Sequence, residues 1–139
     1  MSLSIRNQIP GTVTAITSGA VMATVRARLA GGQEITAAIT LEAVKDLGLA
    51  EGSKVNALAK ATEIALATAP VAGLSIRNQL PGTVVEVATG GAMATVKVAI
   101  EGAELTAAIT KDAVEDLALR AGVPVVALIK STEISLAAA

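Results

Sequence analysis

The sequence predicts a mainly β chain: two tandem five-stranded barrels, each with one short helix. Three observations predict it. Leu3 to Val13 returns as Leu74 to Val84 with one conservative change, Ile9 to Leu80, so the chain is two copies of one unit. Within each copy apolar residues mostly alternate with polar ones, the period of a half-buried strand. Once per copy that period gives way to apolar residues three apart, the spacing of a short helix face.

In chain order, Leu3 to Ile9 lacks helix punctuation and reads as a strand that ends at a Pro10-Gly11 turn. Thr12 to Thr17 is a second strand before Ser18-Gly19. Val21, Ala23, Val25, Ala27 and Leu29 then alternate with Met22, Thr24, Arg26 and Arg28, a third strand. Ala30-Gly31-Gly32-Gln33 closes a hairpin into Glu34 to Thr40, where Ile35, Ala37 and Ile39 share a face. Leu41, Val44 and Leu47 form the helix face, with Thr40 as N-cap and Glu42 in the first turn. Gly48 or Gly52 ends that helix. Ser53 to Lys60 resumes alternation, and Thr62 to Leu66 is a last short strand. The first domain therefore spans 1–67, a Pro- and Gly-bearing linker 68–73, and the second domain 74–139. Ser4 recurs as Ser75 but Glu34 as Glu104, so the second hairpin is one residue shorter, as a surface turn tolerates. About five strands with a helix after the fourth point to a small barrel of the OB type.

Composition removes whole classes of function. The 139 residues include no Cys and no His, which excludes thiolate and imidazole metal sites and His-based acid–base catalysis. The lack of Phe, Tyr and Trp removes the stacking platforms of single-strand nucleic acid binders, and a net charge of −1 lacks their basic footprint. No apolar run approaches the ~18 residues of a membrane span, and the N-terminus does not read as a secretory leader. The expectation is a cytoplasmic protein with neither nucleic acid nor membrane as partner. A core of Ala, Val, Ile and Leu in units this small buries little area apiece, so burial between copies or between chains is expected.

No phosphate-cradling Gly-rich motif occurs. Glu42, Asp46, Asp112 and Asp116 fall on the helices and read as solvated; Glu63 and Glu133 read as structural ion-pair partners or surface strand residues. The remaining candidates are donors. They are Ser4, Arg6 and Asn7 with Ser75, Arg77 and Asn78; Thr40 and Thr110 at the helix starts; and Lys60, Ala61 and Thr62 with Lys130, Ser131 and Thr132. Hydroxyls, amides, fixed cations and a helix start together describe an oxyanion cradle. Each also has a plain structural role: cap, turn closure, oligomer contact or solvated strand end.

Five motifs in order, each present twice, carry a resemblance. They are Ser-x-Arg-Asn-Gln-x-x-Gly-Thr-Val, Gly-x-x-Met-Ala-Thr-Val, Ala-Ala-Ile-Thr, Leu-x-Leu-x-x-Gly and Lys-Ala/Ser-Thr-Glu-Ile. This pattern resembles the molbindin family, also called Mop domains or molybdenum–pterin-binding proteins, in its tandem di-Mop form. The resemblance implies OB-like barrels that bind molybdate or tungstate between domains, some sites lying near a threefold axis. It implies hexamers of single-domain members, and homotrimers of tandem members that imitate them. Ser4, Arg6 and Asn7, with their copies, would supply one wall of a site. Lys60, Ala61 and Thr62, with Lys130, Ser131 and Thr132, would supply a wall from a neighbouring domain, and Thr40 and Thr110 match the Ile-Thr element. One departure stands out: some members have Ser where this chain has Ala43 and Ala113. The expected function is non-catalytic storage or buffering of the oxyanion. A molybdate-responsive module acting through a partner protein is the rival. Pterin binding is disfavoured, because no aromatic ring is available to stack on it.

Overall fold

The structure is a computed structural model, and it describes residues 2–139. The first copy contributes β1 (Asn7–Ser18), β2 (Met22–Leu29), β3 (Glu34–Thr40), α1 (Leu41–Asp46), β4 (Lys54–Ala59) and β5 (Ala65–Ala67). The second contributes β6 (Asn78–Thr89), β7 (Met93–Ile100), β8 (Ala103–Thr110), α2 (Lys111–Asp116), β9 (Pro124–Ile129) and β10 (Ser135–Ala138). A single 3-10 turn, Ala61–Glu63 or Ser131–Glu133, precedes the last strand of each copy.

These strands form two curled antiparallel five-stranded sheets, ordered β10-β4-β1-β2-β3 and β5-β9-β6-β7-β8. The mainly β architecture and the short helix are as expected from the pattern. The outermost pairing is not. β5 leaves its own copy and pairs with β9, Ala65 opposite Leu128, while β10 crosses back to β4, Ser135 opposite Leu58. Each sheet is therefore completed by the other copy. The 3-10 turns follow the exchange: Ala61–Glu63 packs on β8 and Ser131–Glu133 packs on β3.

Pro10-Gly11 is not a turn, contrary to expectation. β1 runs unbroken through it, pairing residues 7–12 with β4 and residues 11–18 with β2. At Pro10 the strand has a partner on one side only, a position where a missing N–H is tolerated. Gly11 then lets β2 cross closely, since a Cβ there would lie 3.1 Å from the Arg28 carbonyl oxygen; at Gly82 the matching distance, to Ala99, is 2.5 Å. A β-bulge between Val13 and Ala15 bends the strand into the curl, and Val84/Glu86 repeats it.

The helices form where the capping chemistry placed them. Thr40 Oγ1 accepts from Ala43 N at 3.1 Å, and Thr110 Oγ1 from Ala113 N at 3.1 Å. Val44 and Val114 are the buried residue of each helix. Gly48 ends α1 with φ +60, and the second copy places Ala118 there at φ 50. One continuous core runs through both sheets, with Ile9, Leu29 and Ile35 packed in it alongside Leu80, Leu105 and Ile129. Burial lies between the copies, as the Ala-rich composition required.

Candidate functional site between the two copies

Asn7 and Asn78 are the most committed of the candidate residues. Both are buried, at 2% and 3% exposure. Asn7 Nδ2 donates to the Ala59 carbonyl at 3.0 Å and to the Thr106 carbonyl at 2.9 Å, and its Oδ1 accepts from Thr106 N at 2.7 Å. Asn78 repeats this with Ile129 at 3.0 Å and with the Thr36 carbonyl and N–H at 2.9 and 2.8 Å. Each amide thus uses both donor hydrogens and mimics a peptide group against a strand of the other copy. No donor is left on either side chain for a ligand.

Arg6 and Arg77 are exposed but turned back on their own segments. Arg6 Nε and Nη2 donate to the Ser4 and Leu3 carbonyls at 3.1 and 2.9 Å. Arg77 does the same to Ser75 and Leu74. Two of the five guanidinium hydrogens fix the fork and the rest remain available. Ser4, Ser75, Thr62, Thr132, Lys60 and Lys130 are exposed; Ala61 and Ser131 are half-buried. Among the described residues the ion pairs are Arg28–Glu34 at 3.9 Å and Lys97–Glu104 at 4.0 Å. Arg6, Arg77, Lys60 and Lys130 carry no carboxylate partner.

Strand exchange brings part of this set together within one chain. A cleft of about 270 Å³ is bounded on one side by Thr62, Glu63 and Ala65 of the first copy. Its other side is Ile76, Ile109 and Lys130 of the second. Three motifs each place one residue here: Ile76 from Ser-Ile-Arg, Thr62 from Lys-Ala-Thr and Lys130 from Lys-Ser-Thr. The cleft can hold an anion through Lys130 and the Thr62 hydroxyl, and Glu63 opposes it, so any anion must sit toward the lysine. Thr40 and Thr110 do not line this cleft, and their hydroxyl oxygens already accept cap bonds. Lys60, Ser4, Arg6, Ser75 and Arg77 do not line it.

Two features escaped the sequence. The β8 wall, Ala108 and Ile109, belongs to the cleft only because β5 crosses over, and no local pattern signals a crossing. Ser131 Oγ is buried without a hydrogen-bond partner, and its equivalent in the first copy is Ala61. A sealed, unpaired hydroxyl costs about 1–3 kcal/mol, and it sits in one of the donor segments.

Comparison with known proteins gives a consistent picture. Residues 3–66 and 74–136 each match the model of the TOBE domain. The chain is 38% identical over 138 residues to the molybdenum transport protein ModE of Azotobacter vinelandii, covering 99% of this chain and 51% of the relative. It is 40% identical over 136 residues to the molybdenum-pterin-binding protein MopB of Rhodobacter capsulatus, covering 96% and 50% respectively. The chain thus spans about half the length of these curated relatives. A crystal structure of the cytoplasmic molybdate-binding protein ModG, with molybdate bound, is 41% identical, covers 100% of both chains and superposes with a TM-score of 0.96.

Proposed function

Since the chain belongs to the TOBE-domain family in tandem form, we propose that it binds molybdate or tungstate reversibly, as a cytoplasmic store or buffer and without catalysis. The observation that carries this is the cleft where Thr62 of one copy faces Lys130 of the other. The full-length likeness to a molybdate-bound chain supports it. The mechanism is capture of a tetrahedral dianion by hydroxyl, N–H and cationic donors at the join between copies, where Lys130 is the cation of the cleft. The exposed apolar residues Val21, Met22, Val85 and Met93 support a homo-oligomer, with a trimer as the form in which these joins meet neighbouring chains. A ligand that bridges subunits stabilises the assembly by mass action.

Native mass spectrometry titrated with molybdate, tungstate and sulfate tests the reading, because it reports oligomer size and bound anions together. The expected result is a trimer that takes up molybdate or tungstate and little sulfate. Lys60→Ala with Lys130→Ala should weaken uptake at least tenfold, the loss of a charge-assisted bond, with the fold intact. A monomer without anion, equal uptake of sulfate, or unchanged affinity in the double variant refutes it.

The relatives favour a second reading. A chain spanning half of ModE fits a molybdate-responsive module that acts through further protein. Affinity capture with and without molybdate separates the two: a partner gained or lost with the anion supports sensing, and none supports storage.

A further inference from the structure

One rung of the first sheet has no equivalent in the second. Thr12 on β1 stands opposite Lys54 on β4 and opposite Arg28 on β2. All three point outward, because their neighbours Val13, Val55 and Leu29 are buried. Lys54 Nζ donates to Thr12 Oγ1 at 3.1 Å. Thr14, the residue left over at the bulge, adds a second hydroxyl beside them. Together they line an open cleft of about 400 Å³, with Pro10 and Ala30 as its exposed apolar wall. Thr14 Oγ1 is sealed from solvent and has no partner. Glu34, the next residue along the rung, holds Arg28 at 3.9 Å. In the second copy the corresponding positions are Thr83, Pro124, Ala99 and Val85. The repeat keeps the backbone and the bulge there and drops both cations and the second hydroxyl.

We propose that this cleft binds a small organic phosphomonoester, its phosphate between Lys54 and Arg28 and its body on Pro10 and Ala30. Two cations flanking a hydroxyl on adjacent strands, about 5 Å between neighbours, suit a dianionic head group with several acceptor oxygens. The cleft is larger than one tetrahedral anion fills and falls in the range that holds small organic molecules. Glu34 competes for Arg28 and keeps the empty cleft from being fully cationic. The site shares no residue with the cleft of Thr62 and Lys130, so molybdate binding there does not depend on it.

Isothermal titration of the full chain with adenosine monophosphate, glucose 6-phosphate and inorganic phosphate tests the proposal, with adenosine and glucose as uncharged controls. Both phosphomonoesters should bind saturably, once per chain, and more tightly than inorganic phosphate; the controls should not bind. Arg28→Ala and Thr14→Val install residues that the second copy tolerates at the same positions, so both variants fold. Arg28→Ala and Lys54→Ala should each weaken binding about tenfold or more, Thr14→Val, whose hydroxyl is sealed from the cleft, should leave it unchanged, and Glu34→Gln should tighten it. Molybdate affinity should be unchanged in all four. Absence of saturable binding by either phosphomonoester overturns the proposal, as does binding indifferent to Arg28→Ala and Lys54→Ala. Inorganic phosphate binding as tightly as the esters overturns the role given to the apolar wall.

Discussion

Replacing Asn7 by Ala tests whether the two copies are locked by their amides or merely packed. The side chain makes three hydrogen bonds, to Ala59 and twice to Thr106, at 2.7 to 3.0 Å and 2% exposure. At about 1 kcal/mol net per bond they contribute ~3 kcal/mol, and stranding the half-buried Thr106 N–H and C=O adds about 1 kcal/mol, the low end of the usual penalty. The expected loss is therefore about 4 kcal/mol, and Asn78→Ala should lose a similar amount through Thr36 and Ile129. Asn7→Asp sharpens the test. It keeps the shape but turns the donor face into a carboxylate aimed at two carbonyl oxygens, and should cost more than Ala at neutral pH. Urea unfolding at several protein concentrations measures both variants and separates folding from assembly. A loss below ~1 kcal/mol for Asn7→Ala, the size of a typical surface substitution or single bond, would refute the lock. So would an Asn7→Asp variant as stable as the parent.

Two further outcomes follow from the backbone. Ala118 sits at φ 50, where its counterpart Gly48 has no Cβ to strain; Ala118→Gly should raise stability by up to about 1 kcal/mol, and Gly48→Ala should lower it by about as much, read by thermal unfolding. Deleting Ser135 to Ala139 removes the outer partner of β4 rather than of any strand of its own copy. Hydrogen exchange should quicken at Lys54–Ala59 and stay slow at Pro124–Ile129; the opposite pattern would refute the exchange of strands.

Much of the fold was legible because it is set by local rules. Alternation from Val21 to Leu29 marked β2, the turn glycines marked the hairpin, and Thr40 marked the helix start, since side-chain period and capping act within a few residues. Pro10-Gly11 misled because the turn signal is the same whether the chain reverses or a strand bends. Only the neighbours decide, and β2 crossing at the Arg28 carbonyl is a non-local fact. The exchange of β5 and β10 was illegible for a stronger reason. Both copies end in nearly the same short strand, and each would satisfy the ladder of either sheet. What differs is whether the polypeptide crosses over, and the pattern of one strand carries no record of that.

Asn7 shows how the same residues change meaning once that crossing is known. Read along the chain, Ser-Ile-Arg-Asn is one polar group with one purpose. In the fold it divides. The Asn turns inward and holds a strand of the other copy through its own backbone groups. The Arg turns outward and is pinned by the carbonyls of Leu3 and Ser4. The inward residue fixes where β3 and β8 lie, and the 3-10 turns Ser131–Glu133 and Ala61–Glu63 pack on those same strands. Lys130 and Thr62 therefore line one cleft whose two sides are held by buried amides as well as by the linker between the copies. A donor set held this way needs little reorganisation when an anion arrives. Loosening Asn7 or Asn78 should accordingly weaken anion capture at the join even though neither amide has a donor to offer.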